Sequence, residues 1–356
     1  MKKILYIQLL QIVFFKNDEL VLRDHFNVVP FYINEKGTDF IFRKRIGALI
    51  RFILKNARGA SVLMTWFGDY HSAIITFFGR LLGKKVIIFA GGQEAICYPE
   101  LQKGVYYKKF RGACVKFALK HASHIVVNHK SLIYHENYYY TDYGKKDGIT
   151  YYIPGIRTPI SVIHNGIDTR KYFRDNSIAK VQDMVLTVGS MTRESDFLNK
   201  GFDLFVEVAR RNPSLKFTLI GIKQKFMPWI ERNYHIHTIN NLELIFFFCP
   251  DEVLFENYNK AKVFVQASIT EGMPHTISEA MLCECVPVGS NVNGIPDAVG
   301  ETGVIVMKRS VDELEQAILK ALKLDTGERA RKYVEDNFTL ELRKERLIGL
   351  LDELLV

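Results

Sequence analysis

A chain of 356 residues exceeds what one hydrophobic core ordinarily supports, and 48% apolar with 24% charged residues excludes intrinsic disorder. Nowhere do about 20 apolar residues run uninterrupted, which excludes a membrane-spanning helix. The net charge of +9 is uneven: residues 1–165 carry 24 Lys and Arg against 11 Asp and Glu, whereas residues 166–356 carry 24 against 28, so the first half is the candidate for meeting an anionic surface or acceptor.

The start, Met1-Lys-Lys and the apolar residues 4–15, imitates a signal peptide, but Gln8 and Gln11 interrupt it and no small-x-small site follows. It reads as a first buried strand, centred on 3–9. Residues 43–58 read as a basic amphipathic helix: Arg43, Lys44, Arg45, Arg51, Lys55 and Arg58 occur without an acid, and Ile46, Leu49, Ile50, Ile53 and Leu54 keep helical spacing. Such a helix either packs its stripe on a sheet or lies on an anionic leaflet, with Arg43, Lys44, Arg45, Arg51 and Lys55 as the membrane-facing set. Strands are expected at 61–64, 85–89 and 124–127, with a helix at 108–120 in a stretch that holds no carboxylate between Glu100 and Glu136. Gly91 and Gly92 follow the third strand and permit close backbone approach. The Tyr-rich stretch 138–152 reads as loop.

In the second half, strands at 184–188, 216–220, 242–248, 263–266, 286–288 and 304–307 alternate with helical stretches, among them 202–211 and 311–324. That alternation predicts a parallel sheet covered on both faces. The fold class is therefore α/β with two doubly wound domains, and ligands in such sheets bind beyond the carboxyl ends of the strands. A terminal amphipathic helix follows Asn337, with Thr339 as N-cap. Five cysteines, Cys97, Cys114, Cys249, Cys283 and Cys285, lack paired metal spacing and fit a reducing cytoplasm.

The string Thr270-Glu271-Gly272-Met273-Pro274-His275-Thr276-Ile277-Ser278-Glu279 directly after the 263–266 strand carries the strongest chemistry. Gly272 permits close approach of a ligand and Pro274 suits the first helical turn, where a missing N–H is no loss. The N–H groups near His275, Thr276 and Ile277 then form an anion site suited to a diphosphate.

This string resembles the Glu-x7-Glu motif of the retaining glycosyltransferases of family 4, which have the GT-B fold: two Rossmann-like domains facing across a cleft. Leu186-Thr-Val-Gly189-Ser, Arg193 and Lys200-Gly201 resemble the family's cationic diphosphate grip; His164-Asn-Gly-Ile-Asp168 with Phe173 resembles its interdomain segment; Ala90-Gly-Gly-Gln-Glu94 and Ser290-Asn-Val-Asn-Gly-Ile-Pro-Asp297 fall in family order. Together these cover nearly the whole chain. The resemblance implies an acceptor-binding domain at 1–165, a donor-binding domain at 166–338, and a helix at 339–356 packing back on the first. It also implies that Lys200 and Arg193 neutralise the departing diphosphate, that Glu271 faces the transferred sugar and that Glu279 takes the ribose hydroxyls. Gly189, Gly272, Met273, Pro274, His275, Thr276 and Ile277 would line the donor, and Gly91, Gly92 and Glu94 the acceptor side.

The chain departs from the pattern in lacking glycine between Gln8 and Lys16, in placing Gln93 and Glu94 where many members carry histidine, with His71 as a substitute, and in Cys249 and Cys285, where glycine is frequent. The expectation is a metal-independent retaining hexosyltransferase without cofactor, taking a nucleotide diphosphate sugar to a glycan or lipid-linked acceptor in envelope polysaccharide or glycoconjugate synthesis. The expected place is the cytoplasm, including the inner face of the membrane. The rival reading is a catalytically silent GT-B subunit that binds a nucleotide or partner, against which Glu271, Glu279 and Lys200 speak. Nucleic-acid binding ranks last, because the basic residues form no reading motif.

Overall fold

The computed structural model describes residues 1–9, 13–33, 42–247 and 249–355. The side chains of Val13, Phe14, Phe42, Arg43 and Lys44 also lie outside the described residues, and with them two of the five cations assigned to a membrane face. The chain forms two compact units. The first comprises Met1–His135, Asp147–Gly166 and Leu340–Val356, the second Glu136–Lys146 and Ile167–Thr339.

The first unit runs β1 (Lys3–Gln8), α1 (Val13–Arg23), β2 (Asn27–Tyr32), α2 (Phe42–Asn56), β3 (Ala60–Trp66), α3 (Tyr70–Leu81), β4 (Lys85–Ala90), α4 (Lys109–His121), β5 (His124–Val127), a short α5 (Ile149–Tyr152) and β6 (Ile160–Val162). Its six strands are ordered β6-β5-β4-β3-β1-β2, and all neighbouring pairs among them run parallel. Ile4, Leu5, Tyr6 and Ile7 are all fully buried, as a central parallel strand with helices on both faces requires. The N-terminal apolar run is thus strand only as far as Gln8, and helix α1 begins at Val13. The Tyr-rich stretch is not wholly loop: it contains α5 and the three-residue strand Lys145–Asp147, which pairs with His135–Asn137 just before the stretch.

The second unit runs β7 (Val181–Val188), α6 (Ser195–Asn199), α7 (Phe202–Arg211), β8 (Lys216–Ile222), α8 (Met227–Tyr234), β9 (Leu242–Phe246), α9 (Asp251–Lys260), β10 (Ala261–Gln266), α10 (His275–Leu282), β11 (Val286–Ser290), α11 (Ile295–Val299), β12 (Val304–Val306), α12 (Val311–Leu322) and α13 (Gly327–Asn337). The sheet order is β9-β8-β7-β10-β11-β12, again parallel. Strand β7 has β8 on one side and β10 on the other, so the order reverses between β7 and β10 and their carboxyl-end loops diverge there.

Helix α14 (Leu340–Leu355) belongs to the first unit, where Leu347 and Leu351 join Ile4, Tyr6, Phe15 and Leu22 in one apolar cluster. Arg343 fixes it chemically. Its Nε and Nη2 donate to Asp18 Oδ1 and Oδ2 at 2.6 and 2.7 Å, with side-chain exposures of 4% and 2%. Nη1 donates to the carbonyls of Ile163 and His164, Trp66 Nε1 donates to Asp18 Oδ2 at 2.9 Å, and the guanidinium lies 5.4 Å from the Trp66 ring centre. A buried pair of this kind contributes little net attraction, but removing one partner leaves an uncompensated charge costing about 3–5 kcal/mol. Arg343→Met is expected to lower the urea midpoint of unfolding sharply, and Asp18→Asn/Arg343→Met to recover part of the loss. A double variant no more stable than the single one would refute the pairing as the cause.

Candidate functional site

The loop between β10 and α10 is built to be rigid. Ile269 N–H donates to Asn199 O at 2.8 Å, and Thr270 Oγ1 donates to Asn199 Oδ1 at 2.8 Å. Asn137 Nδ2 donates to Ile269 O at 2.8 Å, Ser290 Oγ to Ser268 O at 2.7 Å, and Gly294 N–H to Gly272 O at 2.9 Å. Ser268, Ile269 and Thr270 are buried, so these bonds also satisfy polar groups that burial would otherwise leave costly.

The facing loop comes from the end of α6. Gly201 has φ +72°, and a Cβ there would lie 2.3 Å from Ala267 O, so only glycine lets α7 begin against the β10 loop. Lys200, one residue before, passes its stem over Gly189, whose hypothetical Cβ would sit 3.5 Å from Lys200 Cδ. Its Nζ donates to Glu271 Oε2 at 2.6 Å, with both side chains 21% exposed. Two of the sequence candidates, 71 residues apart, thereby meet at the carboxyl ends of β7 and β10, where the strand order reverses. Ser268 Oγ also approaches Glu271 Oε2, at 3.4 Å.

Arg193 is exposed, on a turn held by a residue that sequence reasoning passed over. The buried Asp196 carboxylate accepts from Thr192 N, Thr192 Oγ1 and Arg193 N at 2.7, 2.8 and 2.9 Å. Asn199 was passed over too. The only local signal for either is an Asp and an Asn three residues apart just before Lys200-Gly201.

Gly272, Met273 and Pro274 are buried, and His275 and Thr276 are partly exposed in the first turn of α10. Pro274 stands at the N-cap, with φ −71° and ψ 137°, one position before the helical turn expected for it. It has no side-chain acceptor, so no N-cap side chain bonds the first turn. Thr276 Oγ1 donates to Gln266 Oε1 at 2.9 Å, tying that turn to the end of β10, and Ile277 is fully buried in the core. Glu279 Oε2 accepts from the buried Tyr258 hydroxyl at 3.0 Å.

In the first unit Gly91, Gly92 and Glu94 follow β4. A Cβ on Gly91 would lie 2.5 Å from the Phe67 ring, and Gly92 has φ 141°. Glu94 is buried; its carboxylate accepts from Gly68 N–H at 2.6 Å and Gly92 N–H at 3.2 Å, joining the loops after β3 and β4, and burial raises its pKa. His71, the proposed histidine substitute, is buried with Nε2 3.1 Å from Trp66 O, and burial lowers its pKa to about 4, so it is neutral at pH 7.

Burial pushes Glu279 up from 4.5 to about 7, only partly countered by the Tyr258 hydrogen bond and by Lys171. Between those values the folded chain holds a proton that the unfolded chain has released, so this residue's effect on stability is most favourable below 4.5 and worsens up to about 7. Glu279→Gln is expected to flatten the thermal-melting profile between pH 5 and 8 and to melt above the wild type at pH 8. Parallel profiles would exclude a proton on this carboxyl.

Comparisons with known proteins add to this picture. The O-antigen chain mannosyltransferase B of Escherichia coli is 38% identical over 79 residues, 22% of this chain and 21% of that protein. The chain spans between about a tenth and a half of the length of the curated relatives it matches. Among solved structures, sucrose-phosphate synthase from Thermosynechococcus elongatus superposes with a TM-score of 0.76 at 15% identity over 99% of each chain. Anabaena HepE in complex with UDP-glucose gives 0.71 at 14% identity over 99% of this chain and 100% of that one. The fold is thus that of the GT-B glycosyltransferases. The segment that supplies Lys200, Glu271 and Glu279 is the one a family model identifies: residues 168–338 match the glycosyl transferases group 1.

Proposed function

We propose that the chain is a retaining glycosyltransferase of family 4 that moves a hexose-type sugar from a nucleotide diphosphate donor to a glycan or lipid-linked acceptor in envelope polysaccharide synthesis. The observation that carries this reading is the Lys200–Glu271 contact of 2.6 Å at the point of strand-order reversal, on the segment that matches the family model. The O-antigen mannosyltransferase and the UDP-glucose complex among the similar proteins support a nucleotide-sugar donor and a polysaccharide product.

In this reading the diphosphate enters between Lys200 and the first turn of α10. The ammonium leaves Glu271 for the phosphate, and the helix start adds N–H donors and a positive dipole end. The bond from the anomeric carbon to the phosphate oxygen breaks, and the oxygen keeps the electron pair. Lys200 and Arg193 offset the charge that develops there. The freed Glu271 carboxylate holds sugar hydroxyls and stabilises the positive charge that grows on the ring. The acceptor hydroxyl attacks from the face the diphosphate leaves and passes its proton to the leaving phosphate oxygen, so configuration is retained. Glu279 receives ribose hydroxyls once its carboxyl is ionised. No step calls on a divalent cation.

Donor hydrolysis by the purified chain, read by release of nucleoside diphosphate from a panel of nucleotide sugars, tests the assignment. Lys200→Ala is expected to lower kcat by about 100-fold or more, the usual loss for one transition-state charge partner, and Glu271→Gln to do likewise. Equal slow turnover in wild type and both variants would instead mark a catalytically silent GT-B subunit. Chelation with EDTA is expected to leave turnover unchanged; loss restored by magnesium would overturn the metal-free route.

A further inference from the structure

Helix α3 of the first unit is apolar on two opposite sides. Ser72, Ile75, Thr76 and Gly79 are buried, as for any helix covering a sheet. Along the other side, at helical spacing, run Tyr70, Ala73, Ile74, Phe77, Phe78 and Leu81, all partly or largely exposed, with Phe77 at 54% and Leu81 at 67%. Arg80 is the one Lys or Arg of this helix. A helix apolar all round is ordinarily covered all round.

Its neighbours continue the pattern. Helix α2 packs on one side of α3 and α4 on the other. Phe110 of α4 is 74% exposed and its ring lies 5.8 Å from that of Tyr70, while Leu54 of α2 is 53% exposed. Around these stand the exposed cations Arg51, Lys55, Lys109, Lys116 and Lys120. Between Asp39 and Glu94 the sequence has a single carboxylate, Asp69, and between Glu100 and Glu136 it has none. Asp69 is already paired with Arg111 at 2.6 Å. The layer therefore presents bulky apolar side chains among long cations, with no free acid to compete for them.

We propose that the outer face of α2, α3 and α4 docks on an anionic lipid bilayer, with Phe77, Leu81, Phe110 and Leu54 entering the headgroup region. Arg51, Lys55, Lys109, Lys116 and Lys120 bind lipid phosphates, their stems lying along the apolar residues. The charge pattern selects this occupant over a protein partner: a protein interface is depleted of lysine at its core, whereas near an anionic leaflet each cation adds attraction. Docking here is independent of the transferase reading, since none of these residues belongs to the donor site.

Co-sedimentation of the full chain with vesicles of phosphatidylglycerol and phosphatidylcholine, against phosphatidylcholine alone, tests the proposal. The expected result is binding to the anionic vesicles only, weakening as salt rises. Lys109→Ser/Lys116→Ser/Lys120→Ser should lower the partition coefficient on the order of a hundredfold. Phe77→Ser/Leu81→Ser/Phe110→Ser should also lower it and leave donor hydrolysis and the thermal midpoint in place. Wild-type binding by both variants, or equal binding to neutral vesicles, would overturn the assignment. So would a change of oligomeric state in the phenylalanine and leucine variant with vesicle binding intact, because that outcome makes the face a protein interface.

Discussion

The site depends on one close approach. At Gly201 the start of α7 touches the backbone of Ala267, a distance that no side chain could occupy. The two loops at the reversal point of the second sheet are therefore in van der Waals contact before any charged group is considered. Asn199 then binds both Ile269 and Thr270, so the end of α6 and the β10 loop behave as one piece. Lys200 lies between these two anchors, and its ammonium has little freedom to be anywhere but beside Glu271. Ordering a lysine stem in solution costs up to about 2 kcal/mol of side-chain entropy; here folding has already met that cost, which is the sense in which the cation is preorganised.

The carboxylates near the predicted ligand residues are used in two opposite ways. Glu94 and Asp196 are buried and hold loop backbone through N–H groups, so each fixes a turn next to a predicted ligand residue. Glu271 is partly exposed and bonded to Lys200 through one oxygen, an arrangement that exchanges partners at low cost. Glu279 lies between these cases: one oxygen meets a tyrosine hydroxyl, and burial brings its titration near neutrality. A group poised in that way changes charge with small changes in its surroundings, as an arriving anion would impose.

How far the sequence revealed this varied with the range of the interaction. All six strands of the second sheet and four of the six in the first were legible because each is a local run of β-branched and aromatic residues, and α7 and β5 fell at their expected bounds; β2 and β6 were not foreseen. Glu271 and Glu279 were legible because a strand, a glycine, a proline and a helix follow one another within a dozen residues. Asn199 and the Asp18–Arg343 pair were not, since their partners lie 70 to 325 residues away, and Asp196, whose partners Thr192 and Arg193 are local, was not because a loop aspartate has no distinctive pattern around it. Helix α1 was hidden because one apolar run holds both the end of β1 and its start. The outer stripe of α3 escaped for a related reason: periodicity finds one apolar face against a polar one, and a helix with two apolar faces gives a weak signal.

The charge asymmetry of the chain takes on a physical shape in the fold. The order β6-β5-β4-β3-β1-β2 separates the helices of the first unit: α1 joins α14 in the cluster around Phe15 and Leu347, whereas α2, α3 and α4 lie side by side. Right-handed crossovers require this, because the chain moves one way from β1 to β2 and the other way from β2 onward. The surplus of lysine and arginine in residues 1–165 therefore does not surround the unit evenly. Much of it falls on one helical layer, and the one acid within that layer is taken up by Arg111. A net charge by itself argues only for weak, nonspecific attraction. Segregated by topology onto one layer and interleaved with exposed phenylalanine and leucine, the same charge acquires a direction.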